Sequence, residues 1–167
     1  MRFLKTSIIA SLVLAFSYPA QAETLSGRVI HIADGDTITV LDASNQQHKI
    51  RLAGIDAPEK KQAYGRVSGK RLADLVAGKA VSVEWSKHDK YQRIVGKVLQ
   101  NGQDACLEQI KAGLAWHYKK YENEQTPPDR SRYAAAEDEA RTARRGLWKD
   151  ANPVPPWEWR KLNARSE

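Results

Sequence analysis

The 167-residue sequence predicts an α+β fold, in which a five-stranded β-barrel of OB type carries three packed α-helices. Two observations support this prediction. Five short segments alternate between apolar and polar residues, as half-buried strands do, and three other stretches place apolar residues at helical spacing. The helices come between and after the strands, and the length suits one domain with a sizeable core.

The strands are predicted from alternation and from their content of β-branched residues. They cover residues 25–32, 37–41, 48–52, 80–85 and 94–99. Asp34-Gly35-Asp36 interrupts the first two strands as a turn or bulge. A polar turn, residues 42–47, joins the second and third strands into a hairpin. Asn101-Gly102 is a strong turn signal after the fifth strand.

The first helix is predicted over residues 63–76, ending at Gly78, and the second lies between Asp104 and Gly113. Both have apolar residues along one side.

The third helix follows two prolines. Asp129 is its predicted N-cap, Arg144 and Arg145 suit its last turn, and Gly146 can take the left-handed position after it. The tail, residues 151–167, is rich in proline and tryptophan. We predict an extended segment whose tryptophans pack back on the domain, which itself spans residues 23–150.

The first 22 residues have the order of a secretory signal peptide. Arg2 and Lys5 precede an apolar run, residues 6–18, and Ala20-Gln21-Ala22 offers small residues at a cleavage-site spacing. A retained membrane anchor is the alternative, but a spanning helix needs about 20 apolar residues and this run is shorter. The sequence therefore predicts an exported protein, periplasmic or secreted, which starts near Glu23 and has no membrane contact after cleavage.

Charge favours a polyanionic partner. The formal net charge is +7, and loss of Arg2 and Lys5 with the signal leaves +5. Nucleic acid is the commonest such partner, although a basic structural or adhesive domain would have the same charge. The single cysteine, Cys106, excludes an internal disulfide and is interpreted as a small buried hydrophobe. A monomer is the default expectation.

Three carboxylates are expected to converge at one end of the second and third strands. If Leu41 faces His48, the hairpin brings Asp36 close to the residues after the third strand, and therefore to Asp56. Glu59 follows three residues later on a loop that a proline stiffens.

Arg51 precedes this loop and adds a positive charge. Such a cluster of carboxylates is costly without a cation, and carboxylate and carbonyl oxygens suit calcium or magnesium. Phosphodiester hydrolysis needs these parts, because a metal and arginines can screen the phosphate charge while a carboxylate orients or deprotonates water. Each residue alone could be an ordinary turn or strand residue; the combination indicates a metal-dependent hydrolase.

Three segments carry a resemblance. Residues 34–37 (Asp-Gly-Asp-Thr), 51–59 (Arg-Leu-Ala-Gly-Ile-Asp-Ala-Pro-Glu) and 89–93 (Asp-Lys-Tyr-Gln-Arg) resemble the three signature blocks of the staphylococcal nuclease (thermonuclease-like) family, in the family's order and spacing. The similarity extends from about Gly27 to Trp148. The tail, residues 155–160, resembles that of exported bacterial members.

The resemblance implies a role for each matching residue. Asp36 and Asp56 match the aspartates that bind Ca²⁺, and Ala57 stands where the family supplies a backbone carbonyl. Glu59 matches the residue that acts as general base or orients the attacking water. Arg51 and Arg93 match the pair that grips the phosphate.

Substrate contacts are implied less specifically. Tyr91 matches a tyrosine beside the nucleotide, and the charge pattern adds lysines near further tyrosines. The predicted substrate-binding residues are Tyr91, Lys90, Tyr118, Tyr121, Lys119 and Lys120. Two departures from the family stand out: Gln92 replaces a usual glycine before Arg93, and the loop at residues 60–64 is short.

The resemblance implies a calcium-dependent endonuclease that cleaves DNA and RNA with little sequence preference and leaves 3′-phosphates. A nucleic-acid-binding module of the same fold without catalysis is the rival, but such relatives have usually lost the acidic and arginine residues that this chain keeps. A hydrolase with a catalytic histidine is a further alternative. The four histidines, His31, His48, His88 and His117, show no metal-ligand spacing.

Overall fold

The structure is a computed structural model that describes residues 23–164. The predicted signal peptide lies outside the described residues. None of the helices in the described part of the chain is long and apolar enough to cross a membrane.

The predicted barrel is present. The strands of the described chain are β1 (Glu23–Ile32), β2 (Thr37–Asp42), β3 (Gln47–Leu52), β4 (Ile55–Asp56), β5 (Ala80–His88), β6 (Ile94–Gln100), β7 (Gln103–Asp104) and β8 (Trp116–His117). The five main strands lie side by side in the order β3-β2-β1-β5-β6, and a parallel pairing between β3 and β6 closes the sheet. The other three strands, β4, β7 and β8, have two residues each.

The hairpin register differs by one residue from the predicted pairing of Leu41 with His48. In the structure Leu41 pairs with Gln47, and His48 pairs with Val40. The reason lies in the turn, where the Asp42 carboxylate accepts hydrogen bonds from the backbone N–H groups of Ser44 and Gln46. The Asp42 N–H also donates to the Gln46 carbonyl. Because of these bonds the turn ends at Gln46, and β3 begins at Gln47, one residue earlier than the polarity of the sequence indicates.

Residues 23–164 form four α-helices, one more than the sequence predicted. They are α1 (Gly65–Val76), α2 (Ala105–Lys111), α3 (Pro127–Thr142) and α4 (Pro156–Asn163). Short 3-10 helices cover Lys119–Glu124 and Gly146–Lys149.

The third helix begins and ends earlier than predicted. Thr126, not Asp129, is the N-cap of α3, and its hydroxyl accepts the Asp129 N–H at 3.3 Å. Prolines at the first helical positions have no N–H to leave unpaired, so the helix starts at Pro127. At the other end, Arg144 has φ of 50° and lies beyond the helix instead of in its last turn.

The prediction of an extended tail is wrong for residues 156–163, which form α4. Pro155 and Pro156 are compatible with this helix because they stand at its N-terminus, where proline is tolerated. The expected packing of the tail is present. Trp157 contacts Trp116 edge to face, with 5.6 Å between the ring centroids.

The core fills the barrel and extends under α1, α2 and α3. Ile38, Val40, Ile50 and Leu52 from the hairpin are fully or almost fully buried, and Cys106 is also buried there, as expected. A second, smaller cluster contains Trp116, Ala140, Leu147 and Trp148, with Trp157 packed against it. This second cluster connects α3 and the tail to β8.

Candidate active site

The turn between β1 and β2 carries two aspartates. Asp34 Oδ1 accepts the backbone N–H of Asp36 at 3.0 Å, and Gly35 packs so closely against Ser68 and Ala57 that a Cβ has no room. From helix α2, Gln109 Nε2 donates to the Gly35 carbonyl at 2.8 Å. The turn is therefore fixed, and it aims the buried Asp36 carboxylate at the end of β3.

The predicted proximity of Asp36 to the residues after β3 is found. The Asp36 carbonyl accepts the Leu52 N–H at 2.8 Å, and its Oδ2 accepts the Ala57 N–H at 2.6 Å. Ala57 directly follows the fully buried Asp56. The three residues expected to hold a metal thus lie at one end of the barrel.

Arg51 joins the two aspartates. Its Nη2 lies 3.2 Å from Asp36 Oδ2 and 2.8 Å from Asp56 Oδ1. Its Nη1 donates to the carbonyls of Leu52 and Ile55, at 3.0 and 2.9 Å. Arg51 therefore holds the chain between β3 and β4 through both of its Nη groups.

Glu59 is connected to the aspartates through a residue from the far end of the chain. Arg160, on α4, donates from Nη1 to Glu59 Oε1 at 2.7 Å and from Nη2 to Asp56 Oδ2 at 2.7 Å. Neither the motifs nor the spacing singled out Arg160. The only signal was the likeness of residues 155–160 to the tails of exported family members, which assigned no role.

Burial and charge shift the pKa values in this cluster. Burial, reinforced by the neighbouring charge of Asp36, raises the pKa of Asp34 to about 6. Burial also raises the pKa of Asp56, against the opposing hydrogen bond from Arg160 and the charge of Arg51. Burial acts to lower the pKa of Arg51, but the charges of Asp36 and Asp56 outweigh it and raise that pKa above the usual value. The cluster therefore has an excess of buried negative charge.

The donor set fits a hard divalent cation with few protein ligands. Within residues 23–164, no group of three or more His, Cys, Asp or Glu side chains is arranged as a metal site. Asp36 and Asp56 nevertheless supply adjacent carboxylate oxygens, and calcium or magnesium completes such a set with carbonyl oxygens and water. Their excess negative charge is the feature that a cation would neutralise.

Arg93 lies directly before the neighbouring strand, β6, and among the described residues no hydrogen bond or ion pair joins it to this cluster. The parallel pairing of β6 with β3 places Ile94 beside Ile50 and Val95 beside Arg51. Asp89 holds the Arg93 guanidinium at 2.7 Å. Although partial burial opposes it, the hydrogen bonds from Arg93 lower the pKa of Asp89.

The predicted substrate residues lie in two groups, one beside Arg93 and one beside α4. In the first, the 66% exposed ring of Tyr91 lies 5.4 Å from the Arg93 guanidinium and 4.9 Å from Lys90 Nζ. In the second, Tyr118 and Tyr121 form an edge-to-face pair with 5.2 Å between centroids.

The lysines of the second group differ in their contacts. Lys119 Nζ lies 3.2 Å from the buried Glu137 carboxylate, whereas Lys120 Nζ lies 5.6 Å from the Tyr121 ring. On its other side, Tyr118 stacks on Trp157 of α4 with 5.3 Å between centroids. Tyr118 therefore lies against the same helix that carries Arg160.

Two of the histidines have polar side-chain partners, and His88 lies edge to face with Trp85, with 5.0 Å between the ring centroids. His48 pairs with Asp42 at 2.8 Å, on the turn of the hairpin. His117 is buried and hydrogen bonds to Gln125 at 2.7 Å. Neither bond involves the aspartate cluster.

Comparison with known proteins decides the family. The family model described as staphylococcal nuclease homologue matches residues 49–150. This chain belongs to the staphylococcal nuclease family. It is 44% identical over 153 residues to an uncharacterized endonuclease of Escherichia coli, across 91% of this chain and 95% of that protein.

Two further relatives agree. An uncharacterized endonuclease of Haemophilus influenzae is 40% identical, across 92% of this chain and 84% of its own length. A protein of Shigella flexneri named micrococcal nuclease is 42% identical, across 94% and 92%. As a staphylococcal nuclease family member, the chain is a hydrolytic nuclease with an OB-type barrel, and its substrates are nucleic acids.

Proposed function

We propose that this nuclease is an exported, calcium-dependent endonuclease that cleaves DNA and RNA with little sequence preference and leaves 3′-phosphates. The observation that carries the proposal is the convergence of Asp36, Asp56 and Arg51 at one end of the barrel, with Glu59 at its edge.

Glu59 is suited to handle the attacking water. Its side chain is 32% exposed, so a water molecule can reach it, whereas Asp36 and Asp56 are buried. Its Oε1 accepts from Arg160, and Oε2 accepts no hydrogen bond from the described residues. Oε2 can therefore orient or deprotonate a water, which as general base catalysis contributes about 10²- to 10⁴-fold to the rate.

The arginines are suited to the charge of the phosphate. A pentacoordinate phosphorus gains negative charge, and guanidinium donors aimed at its oxygens stabilise it more than the ground state. We assign this role to Arg51, which contacts the cluster, and to Arg93, which directly precedes the strand paired with β3. Arg93 exchanges its Asp89 partner for phosphate, and Tyr91 lies beside it to stack on a base.

Asp36, Asp56 and the Ala57 carbonyl would hold calcium. When bound, the ion supplies positive charge beside the reacting phosphate and offsets the excess of buried carboxylates. Little sequence preference follows from the same assignment, because contacts to phosphate carry no sequence information.

Export is proposed from the signal-like first 22 residues. Arg2 and Lys5 stand before the apolar run of residues 6–18, and Ala20-Gln21-Ala22 follows it at a cleavage-site spacing. A periplasmic location and a secreted one both agree with the proposed export.

One assay tests the proposal. The mature protein is incubated with plasmid DNA and with RNA, in calcium or in a chelator. The proposal expects both substrates to be degraded in calcium and neither in the chelator. Equal cleavage in the chelator would contradict the calcium dependence, and a gel shift without cleavage would favour the rival, a binding module. Analysis of product ends by phosphatase and kinase labelling tests the 3′-phosphate.

A further inference from the structure

Arg160 has no part in the mechanism so far, yet it contacts two of its carboxylates. Nη2 donates to Asp56 Oδ2, and Nη1 is shared between Glu59 Oε1 at 2.7 Å and Asp56 Oδ1 at 3.2 Å. A single planar guanidinium thus connects the predicted general base to a predicted metal ligand. Charge-assisted hydrogen bonds from both Nη groups of one guanidinium fix the relative orientation of the carboxylates as well as neutralising charge.

We propose that Arg160 is a positioning residue of the nuclease, which holds the Glu59 carboxylate beside Asp56 so that its free oxygen faces the attacking water. The inference rests on the proposed role of Glu59. It makes the C-terminal helix part of the catalytic site and not an appendage to the barrel.

Glu59 needs such a partner because it lies on a loop. Its backbone N–H is held by Gln62 Oε1 at 3.1 Å, but this bond does not fix the side chain. Arg160 is the partner that the described structure gives to the carboxylate. Without it, a partly exposed glutamate would sample several rotamers, and only some of them would reach the attacking water.

The tail is docked firmly enough to carry this role. Trp157, one helical turn before Arg160, stacks on Tyr118 and contacts Trp116. Gln62 adds a second connection, since its Nε2 donates to the Val154 carbonyl at 2.6 Å while its Oε1 accepts the Glu59 N–H. The tail is therefore held at two places, by Trp157 on Trp116 and Tyr118 and by Gln62 on the Glu59 loop.

The alternative is that Arg160 blocks the cation site. The hydrogen-bond pattern favours positioning. Asp56 Oδ2 accepts one hydrogen bond from the described residues, and so does Asp36 Oδ1, which accepts the Thr37 hydroxyl. A carboxylate oxygen can accept two, so each retains a lone pair for a cation while Arg160 stays in place.

The formal charges agree. Asp34, Asp36, Asp56 and Glu59 carry four negative charges when all are ionised, and Arg51 and Arg160 carry two positive ones. A divalent cation makes this set neutral. Without Arg160 the set would keep one negative charge, which would repel an anionic phosphodiester.

The test compares Arg160→Ala and Arg160→Lys with the wild type, with Lys161→Ala as control. Lys161 is an exposed cation on the same helix. For each protein, kcat and KM are measured on a defined DNA at saturating calcium, and calcium affinity is measured by calorimetry without substrate. Guanidinium ion at non-denaturing concentration is then added to Arg160→Ala.

We expect kcat to fall about 10- to 100-fold in Arg160→Ala, with KM nearly unchanged. Arg160→Lys retains the positive charge but not the two planar Nη donors, so its kcat should stay low. Calcium binding should tighten in Arg160→Ala, because a cation beside Asp56 is removed. Added guanidinium should restore part of the lost kcat, and Lys161→Ala should match the wild type.

An unchanged or higher kcat in Arg160→Ala would overturn the inference, the latter in favour of a blocking role. A lower kcat with weaker calcium binding, a lower Tm and no rescue would also overturn it, because α4 would then only stabilise the fold. Failure of the proposed function is distinguishable, since the wild type would then cleave equally well in chelator or would not cleave at all.

Discussion

Asp56 and Arg160 form an ion pair with 2.7 Å between Oδ2 and Nη2, although they are 104 positions apart in the chain. Asp56 ends a two-residue strand beside the barrel, and Arg160 lies on the last helix. The pair joins β4 to the C-terminal helix. Arg51 binds the other carboxylate oxygen of Asp56 and also binds Asp36, so two guanidiniums flank the buried Asp56 carboxylate.

Removal of Arg51 should destabilise the metal-free protein. Arg51→Ala leaves two buried carboxylates without their shared cation, and loss of one partner from a buried pair costs about 3 kcal/mol. We expect this loss in urea unfolding in chelator, and a smaller loss in calcium. The matched control is Lys70→Ala, which removes an exposed pair with Asp74 and should change stability by less than about 0.5 kcal/mol. Equal effects of the two changes would contradict the assigned role of Arg51.

Asp34 should make stability depend on pH. Its pKa of about 6 exceeds the value of 3.8 for an unperturbed aspartate. The folded state therefore binds the proton more tightly, and stability is lost as pH rises from about 4 to about 6. Asp34→Asn retains an Oδ1 acceptor for the Asp36 N–H but cannot ionise.

We expect Asp34→Asn to stabilise the protein by about 1 to 2 kcal/mol at pH 8, after allowance for its partial exposure, and not at pH 4. Denaturant unfolding in chelator at both pH values measures this. Asp138→Asn, an exposed change on α3, serves as the control. A gain of the same size at pH 4 and pH 8 would rule out the titration of Asp34 as the cause.

Much of the fold could be predicted because local sequence patterns specify its strands. Alternation identified all five barrel strands, and the aspartates of the β1–β2 turn and of β4 converge because the hairpin between them returns. The one-residue register error depended on how the Asp42 side chain closes its turn. These side-chain hydrogen bonds depend on the three-dimensional geometry of the turn, which the polarity of the sequence does not indicate.

The tail could not be predicted in the same way. Helix α4 has eight residues and two prolines at its start, and a helix this short needs packing to form. Its packing partners, Trp116 and Tyr118, are about 40 positions earlier. Arg160 could be placed at the catalytic cluster only once that docking was known.

Gln92 should be strained where the family usually has glycine. Its φ of 61° lies in the left-handed region, which costs a residue with a Cβ about 1 kcal/mol. We expect Gln92→Gly to raise stability by up to about 1 kcal/mol in thermal unfolding. The control is Gln103→Gly at an exposed position without positive φ, which should lower stability because glycine is less favourable in strands. Destabilisation by both changes would show that the conformation of Gln92 is not strained.

Lys120 should contribute more to nucleic-acid affinity than Lys119, because Glu137 already pairs with Lys119. We expect Lys120→Ala to reduce the slope of log affinity against log salt by about one unit, and Lys119→Ala to reduce it less. Binding of a DNA oligonucleotide in chelator measures both slopes. Lys70→Ala, on α1, is the control. If neither lysine changes the slope, the second substrate group is wrongly assigned.

The most direct test of the proposed mechanism is the kcat of Glu59→Gln on DNA at saturating calcium. Glutamine retains an oxygen to accept the Arg160 hydrogen bond, and the side chain is partly exposed, so the fold and the Arg160 contact should persist. Without the carboxylate the water loses its base, and we expect kcat to fall about 100- to 10,000-fold. Glu158→Gln, an exposed change on α4, should leave kcat unaltered. A Glu59→Gln enzyme within about twofold of the wild type would contradict the account, because the carboxylate that Arg160 holds would then not be the base.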